Sequence, residues 1–258
     1  MRKIILAATA VASFTLTSLD GLVAADEIAL VPQDWTFDGF TGGFDRQQLQ
    51  RGFQVYLEVC SACHSLKYIA FRNLEDLGYS EAQIKALAAE YELEDGPDEE
   101  GDMFYRPAMP SDYFPRPYPN DNFARASNNG SLPPDLSLIT KARVGGPDYL
   151  YNLLISYEEP PSDVEIMFGM EYNSVFSGGQ IAMPQQLFED LIEYADGTPA
   201  TVDQMARDVT AFLHWAAEPK LEVRKTTGIR VVLFTLVFTI LAYFLKERIW
   251  SRLDNPRD

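Results

Sequence analysis

The chain has 258 residues, a net charge of −17 and only two cysteines. Its first 25 residues carry +1 and residues 226–258 carry +2, so residues 26–225 hold −20. A surface of that sign repels nucleic acid and attracts basic proteins, and the roughly 200 residues between the two ends fit one domain with elaborations.

Arg2 and Lys3, the apolar run from Ile4 to Leu19 and the small-residue ending Val23-Ala24-Ala25 have the layout of a secretory signal peptide. Residues 1–25 are therefore set apart from the fold, and the mature chain is expected to start near Asp26. From Asp45 onward, Leu49, Phe53, Tyr56, Leu57 and Cys60 share one helical face. That helix is expected to end at Cys60 and to pack on the side of whatever Cys60 binds.

Cys60-Ser61-Ala62-Cys63-His64 gathers both cysteines and one of the two histidines into five residues. C-x-x-C-H reads as a c-type haem attachment site: two thiols about one helical turn apart can add to the vinyl groups on one porphyrin edge, and the next imidazole reaches the iron. A zinc site lacks its third and fourth ligands nearby. A redox C-x-x-C would open a helix after a strand, whereas Cys60 closes one. An exported chain with no further cysteine also suits the compartment in which other thiols would oxidise.

Beyond the motif, Ser80 to Tyr91 reads as a short helix. Glu90, Glu92, Glu94, Asp95, Asp98, Glu99, Glu100 and Asp102 then form an acidic run around Gly96-Pro97, expected as a solvated, mobile loop that can also steer a partner. Arg106 to Asn120 contains five prolines and reads as a loop. Pro147 to Ile155 and Gln185 to Tyr194 are expected as helices. Thr201 is a candidate N-cap for a helix whose stripe is Val202, Met205, Val209, Phe212, Leu213 and Ala216, ending before Pro219. With no convincing run of strands and no repeat, the fold class is all-α.

Iron bound by His64 needs a sixth ligand or an open position. His214 falls off the apolar stripe of its helix and is expected at the surface. Met103 and Met109 border the acidic and Pro-rich segments, and Met205 lies in the helix stripe. Met167, Met170 and Met183 are the remaining candidates, with Met183 favoured because its loop, Gly178 to Pro184, can fold across the opposite haem face.

Thr226 to Leu245 is apolar on all sides but for Arg230 near its start. Twenty residues at about 1.5 Å each span about 30 Å, the thickness of a bilayer core. Basic residues flank both ends, so orientation follows from export: residues 26–225 in the periplasm, 226–245 across the cytoplasmic membrane in a single pass, and 246–258 as a cytoplasmic tail.

Arg125 to Ser137 (RASNNGSLPPDLS), Ala142 to Tyr149 (ARVGGPDY), the Met183 loop and Asp208 to Pro219 (DVTAFLHWAAEP) together resemble the cytochrome c1 family, in matching order and with the carboxyl-terminal anchor. The resemblance implies a cytochrome c-like haem domain with long loop insertions and one transmembrane helix. It implies one covalently attached haem c held by Cys60 and Cys63 with His64 and Met183 as axial ligands. Asn128, Pro134, Arg143 and Tyr149 match positions that line the haem or bond its propionates, Arg143 as a buried guanidinium. Asn-Asn-Gly and Pro-Pro-Asp are also good turn sequences on their own account.

The implied role is single-electron transfer from a Rieske iron–sulfur protein to a soluble or membrane-anchored basic cytochrome c, beside cytochrome b, in a proton-translocating ubiquinol–cytochrome c reductase. The chain by itself would catalyse nothing. The alternative is a membrane-bound cytochrome c donating to a terminal oxidase. His/Met ligation fills both axial positions and disfavours a peroxidase or a gas sensor. Two departures from the family stand out: the acidic segment, and the lack of any cysteine for a disulfide to stiffen Glu158 to Gly179.

Overall fold

The computed structural model describes residues 30–254; the expected signal peptide lies outside them. Six α-helices and two small antiparallel β-ribbons make up the described chain, which is mainly helical. The first helix, α1 (Arg46–Val55), starts at Asp45, whose carboxylate accepts from the backbone N–H of Gln47 and Gln48. It runs into a π-helical turn, Tyr56–Cys60, so the expected helix does end at the first cysteine.

A 3₁₀ turn, Phe71–Leu77, precedes α2 (Glu81–Ala88), which is capped reciprocally by Ser80 and Gln83. Strands β1 (Glu92–Asp95) and β2 (Phe104–Pro107) then pair antiparallel, with Asp95 opposite Phe104. The acidic run is therefore an ordered hairpin and not a loose loop. Leu93 and Asp95 turn inward while Glu92 and Glu94 face water, the two-residue alternation of a strand. Arg106 pairs with Asp95 across the ribbon and reaches Asp112 at 2.6 Å.

Helix α3 (Asp121–Ser127) starts at the Asn120 cap, directly after the Pro-rich segment. Helix α4 (Gly146–Ile155) follows Gly145, whose left-handed φ of 85° lets the chain enter the helix. The second ribbon pairs β3 (Glu171–Tyr172) with β4 (Gln180–Ile181). The helix expected over 185–194 is not present. Asp190 adopts a φ of 56° there, and its N–H bonds Ala200 O at 3.0 Å, which directs the chain away from a helical path while Leu187 and Ile192 stay buried.

Helix α5 (Val202–Ala217) is the centre of the domain, packing on α1 and α4. Gly52 permits the α1 contact: a Cβ there would sit 1.9 Å from Asp208 O. Beside it the fully buried Asp208 carboxylate receives Arg51 Nε at 2.8 Å and Gln204 Nε2 at 2.9 Å, while Arg51 also reaches Asp196 at 2.9 Å.

After a break at Glu218–Lys220, α6 (Leu221–Asp254) runs beyond both ends of the expected span. Its apolar side chains are exposed, and it is long and apolar enough to cross a membrane. Its first turn is tied to the segment before α1: Glu222 accepts from Phe44 N and Arg46, and Lys225 donates to the carbonyls of Phe37 and Gly42.

Candidate haem site

Local backbone geometry sets the two thiols. The π-helical turn places Ser61 N on Tyr56 O at 2.8 Å, and the chain then closes so that Cys63 N and His64 N both donate to Cys60 O, at 3.2 and 2.9 Å. Single π-helical turns of this kind concentrate at functional sites. Tyr56 OH donates to His64 O at 3.0 Å and fixes the far end of the motif. Burial, with a smaller contribution from Cys63, pushes the Cys60 thiol up to about 12. Redox C-x-x-C motifs lower a thiol pKa, so this environment is the opposite of theirs.

His64 Nδ1 lies 2.7 Å from Pro134 O. A carbonyl can only accept, so Nδ1 carries the proton and Nε2 keeps its lone pair. Burial lowers the ring's proton affinity and outweighs the opposing Pro134 bond and Asp135 charge, which favours the neutral imidazole. A neutral imidazole with its second nitrogen bonded to a carbonyl is the usual state of a metal-ligating histidine. Pro134 is held in turn by Asp135, a residue read from the sequence only as turn chemistry. Its carboxylate accepts from Ser65 Oγ at 2.7 Å, Lys67 N at 3.0 Å and Ser137 N at 3.1 Å. Burial would push Asp135 up, but those hydrogen bonds hold it below the usual carboxylate range.

Asn128 joins this group through Tyr118. Its Nδ2 donates to Tyr118 OH at 3.0 Å, and Tyr118 OH contacts Cys63 Sγ at 3.6 Å. Cys63, Tyr118, Pro134, Lys67 and Arg116 line a cavity of about 220 Å³.

A second group surrounds Met183. Of the described methionines, Met103, Met109 and Met167 are exposed and Met205 is wholly buried in α5. Met170 and Met183 are half-buried, and Met183 packs against the hydrophobic core. Its carbonyl accepts from Tyr157 OH at 2.9 Å. Tyr149 stands near Tyr157 and the Arg143 guanidinium; burial raises the Tyr149 hydroxyl and Arg143 opposes it. Arg143 itself is exposed and lies just ahead of α4.

Within 158–179 the chain is braced by Asn173. This side chain, fully buried, donates to Leu153 O at 2.8 Å and accepts from Val175 N and Phe176 N, both at 3.1 Å. Gly179, at a φ of 72°, lies where a Cβ would meet the Tyr172 ring at 3.1 Å, so β3 and β4 close tightly below the Met183 loop. Cys60, Met183, Tyr149 and Tyr157 all pack on one core, so both groups are mounted on the same rigid body.

His214 is not the surface histidine expected. It stacks on Phe37 at a ring-centroid distance of 4.4 Å, and its Nδ1 lies 3.2 Å from Thr140 Oγ1. The periodicity argument failed because α5 is covered on nearly every side. Burial first, and the nearby cations Lys141, Lys225 and Arg224 against Glu218, lower its pKa from 6.5 to about 4. A base depressed in the folded state leaves the unfolded chain to take the proton first. Its stability contribution is therefore complete above pH 6.5 and is lost as pH falls toward 4, by about 2 kcal/mol after allowing for solvent screening. Denaturant titrations of wild type and His214→Phe in detergent at pH 7 and 4.5 should show this loss in wild type alone; parallel losses would contradict the assignment.

Comparison with known proteins follows the same lines. A model of the Cytochrome C1 family matches residues 35–253. The chain is 48% identical to a mitochondrial cytochrome c1 heme protein of Schizosaccharomyces pombe, over 92% of this chain and 77% of that one. It is 47% identical to the cytochrome c1 of Rhodospirillum rubrum, over 95% and 97% of the two chains. With the cytochrome b/c1 of Bradyrhizobium diazoefficiens it shares 48% identity over 84% of this chain, which corresponds to 35% of that longer protein.

Proposed function

We propose, from the premise that this chain belongs to the cytochrome c1 family, that it is a membrane-anchored electron carrier that takes single electrons from a Rieske iron–sulfur protein and gives them to a soluble cytochrome c. Cys60 and Cys63 would hold one haem c through thioethers, with His64 and Met183 as axial ligands. When bound, the haem supplies reversible one-electron chemistry at a potential raised by His/Met ligation. The observation that carries the reading is the His64–Pro134 hydrogen bond beside the paired cysteines, which leaves Nε2 as a ready ligand.

The chain's own residues hold ligand positions fixed. Pro134 and Tyr56 orient the histidine from two directions, and Tyr157 anchors the methionine backbone. Asn128, Arg143 and Tyr149 supply polar groups toward a haem edge.

Cytochrome b is the expected neighbour, supported by the joint name of the Bradyrhizobium relative. Helix α6 would anchor the haem domain on the periplasmic face, with the carboxyl terminus in the cytoplasm. Purification in mild detergent tests the assembly: a b-type cytochrome and a Rieske protein should accompany the chain. Recovery with a terminal oxidase instead would favour the alternative reading.

The acidic hairpin gives a kinetic prediction. Seven of the eight carboxylates between Glu90 and Asp102 are exposed, Asp95 being the inward one. Replacing Asp98, Glu99, Glu100 and Asp102 with their amides should slow association with a basic cytochrome c at low salt. The two rates should converge as the Debye length shrinks from about 30 Å at 0.01 M to about 3 Å at 1 M. Equal rates at every ionic strength would transfer the docking role to Glu158, Glu159, Asp163, Glu165 and Glu171.

A further inference from the structure

The aromatic residues of the segment before α1 divide sharply. Trp35, Phe37 and Phe44 are at most 9% exposed, whereas Phe40 is 88% exposed. Phe40 sits at the tip of a loop whose legs are tied by Gly43 N donating to Thr36 O at 3.0 Å, with Gly39 at a φ of 68° forming the turn. An exposed phenylalanine on a braced tip is not left over from core packing.

The loop's height along α6 is fixed by its bonds. Phe44 N meets Glu222 at 2.8 Å, while both feet of the loop, Phe37 O and Gly42 O, accept from Lys225 Nζ three residues further along the helix. Three residues along α6 correspond to about 4.5 Å. The loop therefore stands on the Lys225 turn, beside the root of the apolar length, with Phe40 at the tip between its two feet. Arg230, exposed near the start of that length, suits a level where a guanidinium reaches lipid headgroups.

We propose that the Asp38–Thr41 loop is a second membrane contact, with Phe40 seated in the interfacial layer of the bilayer beside the root of α6. The inference rests on α6 spanning the membrane. Combined with the Glu222 and Lys225 bonds, a seated Phe40 turns a single-helix tether into a two-point footing, which restricts tilting of the haem domain over the membrane.

The test uses the full-length haem-loaded chain in nanodiscs of phosphatidylcholine and phosphatidylglycerol. Cys60 and Cys63 are then consumed as thioethers, so Phe40→Cys or Leu236→Cys offers a unique thiol for a nitroxide. Power saturation with oxygen, which partitions into lipid, and with a water-soluble nickel chelate reads depth. The expected result is oxygen accessibility above nickel accessibility at both positions. A Leu236 label in lipid with a Phe40 label in water overturns the second contact and leaves the anchor standing; a Leu236 label in water overturns the anchor. A Phe40 label that reads water in nanodiscs and is shielded from both probes only in the purified complex assigns the loop to a protein neighbour, against the proposal. Phe40→Trp, quenched by brominated lipid beyond the quenching of wild type, guards against insertion driven by the label, and no added quenching overturns the proposal.

Discussion

Met183→Leu is expected to keep the haem covalently attached while lowering its reduction potential and opening the iron to carbon monoxide. Attachment depends on the Cys60 and Cys63 thioethers, which leucine at 183 does not touch. The potential depends on the axial pair, and axial ligation tunes haem potentials over roughly 0.8 V, so loss of the thioether should shift it by a sizeable fraction of that range. Leucine has nearly the volume of methionine, and position 183 is half-buried against the core, so the fold should survive. Redox titration and carbon monoxide difference spectra check both effects. A variant with native potential and no carbon monoxide binding would direct the search to Met170, the other half-buried methionine.

Arg51→Ala is expected to be among the most damaging substitutions away from the haem. Asp208 is wholly buried, and Arg51 is its cationic partner at 2.8 Å, across the α1–α5 contact. Removing one partner of a buried pair typically costs about 3–5 kcal/mol, because the other charge stays buried and uncompensated. Arg51→Ala combined with Asp208→Asn should recover part of that loss, since the amide carries no charge. Denaturant unfolding of both variants checks this, and a single variant within about 0.5 kcal/mol of wild type would contradict it.

Long, periodic and capped segments were legible in the sequence. The Leu49–Cys60 face, the Thr201 cap and the apolar run of α6 each announce a helix, and the five-residue motif announces its chemistry. Features sustained by distant partners were not. Half of the residues of the β1–β2 hairpin, 92–107, are charged, and what orders it is Arg106 between Asp95 and Asp112, which no local pattern reports. The stretch 185–194 carries helix-forming residues, but its path follows the Asp190–Ala200 bond. His214 looks exposed on a helical wheel only because a wheel assumes a helix with an open side, and Phe37, more than 150 residues earlier, closes that side. Asp135 and Asn173 are hubs of the site, and each is a common turn residue when read alone. A signal for both existed in principle, since an Asp after Pro-Pro and an Asn beside a chain reversal are frequent side-chain-to-backbone bonders.

Stopped-flow spectroscopy of the detergent-purified complex tests the central claim most directly. After addition of ubiquinol, the c-type haem of this chain should be reduced by one electron only when the Rieske protein is present, and a basic soluble cytochrome c should then reoxidise it at a rate that falls with salt. Equal reduction in complex stripped of the Rieske protein, or no reoxidation by soluble cytochrome c, would contradict the account.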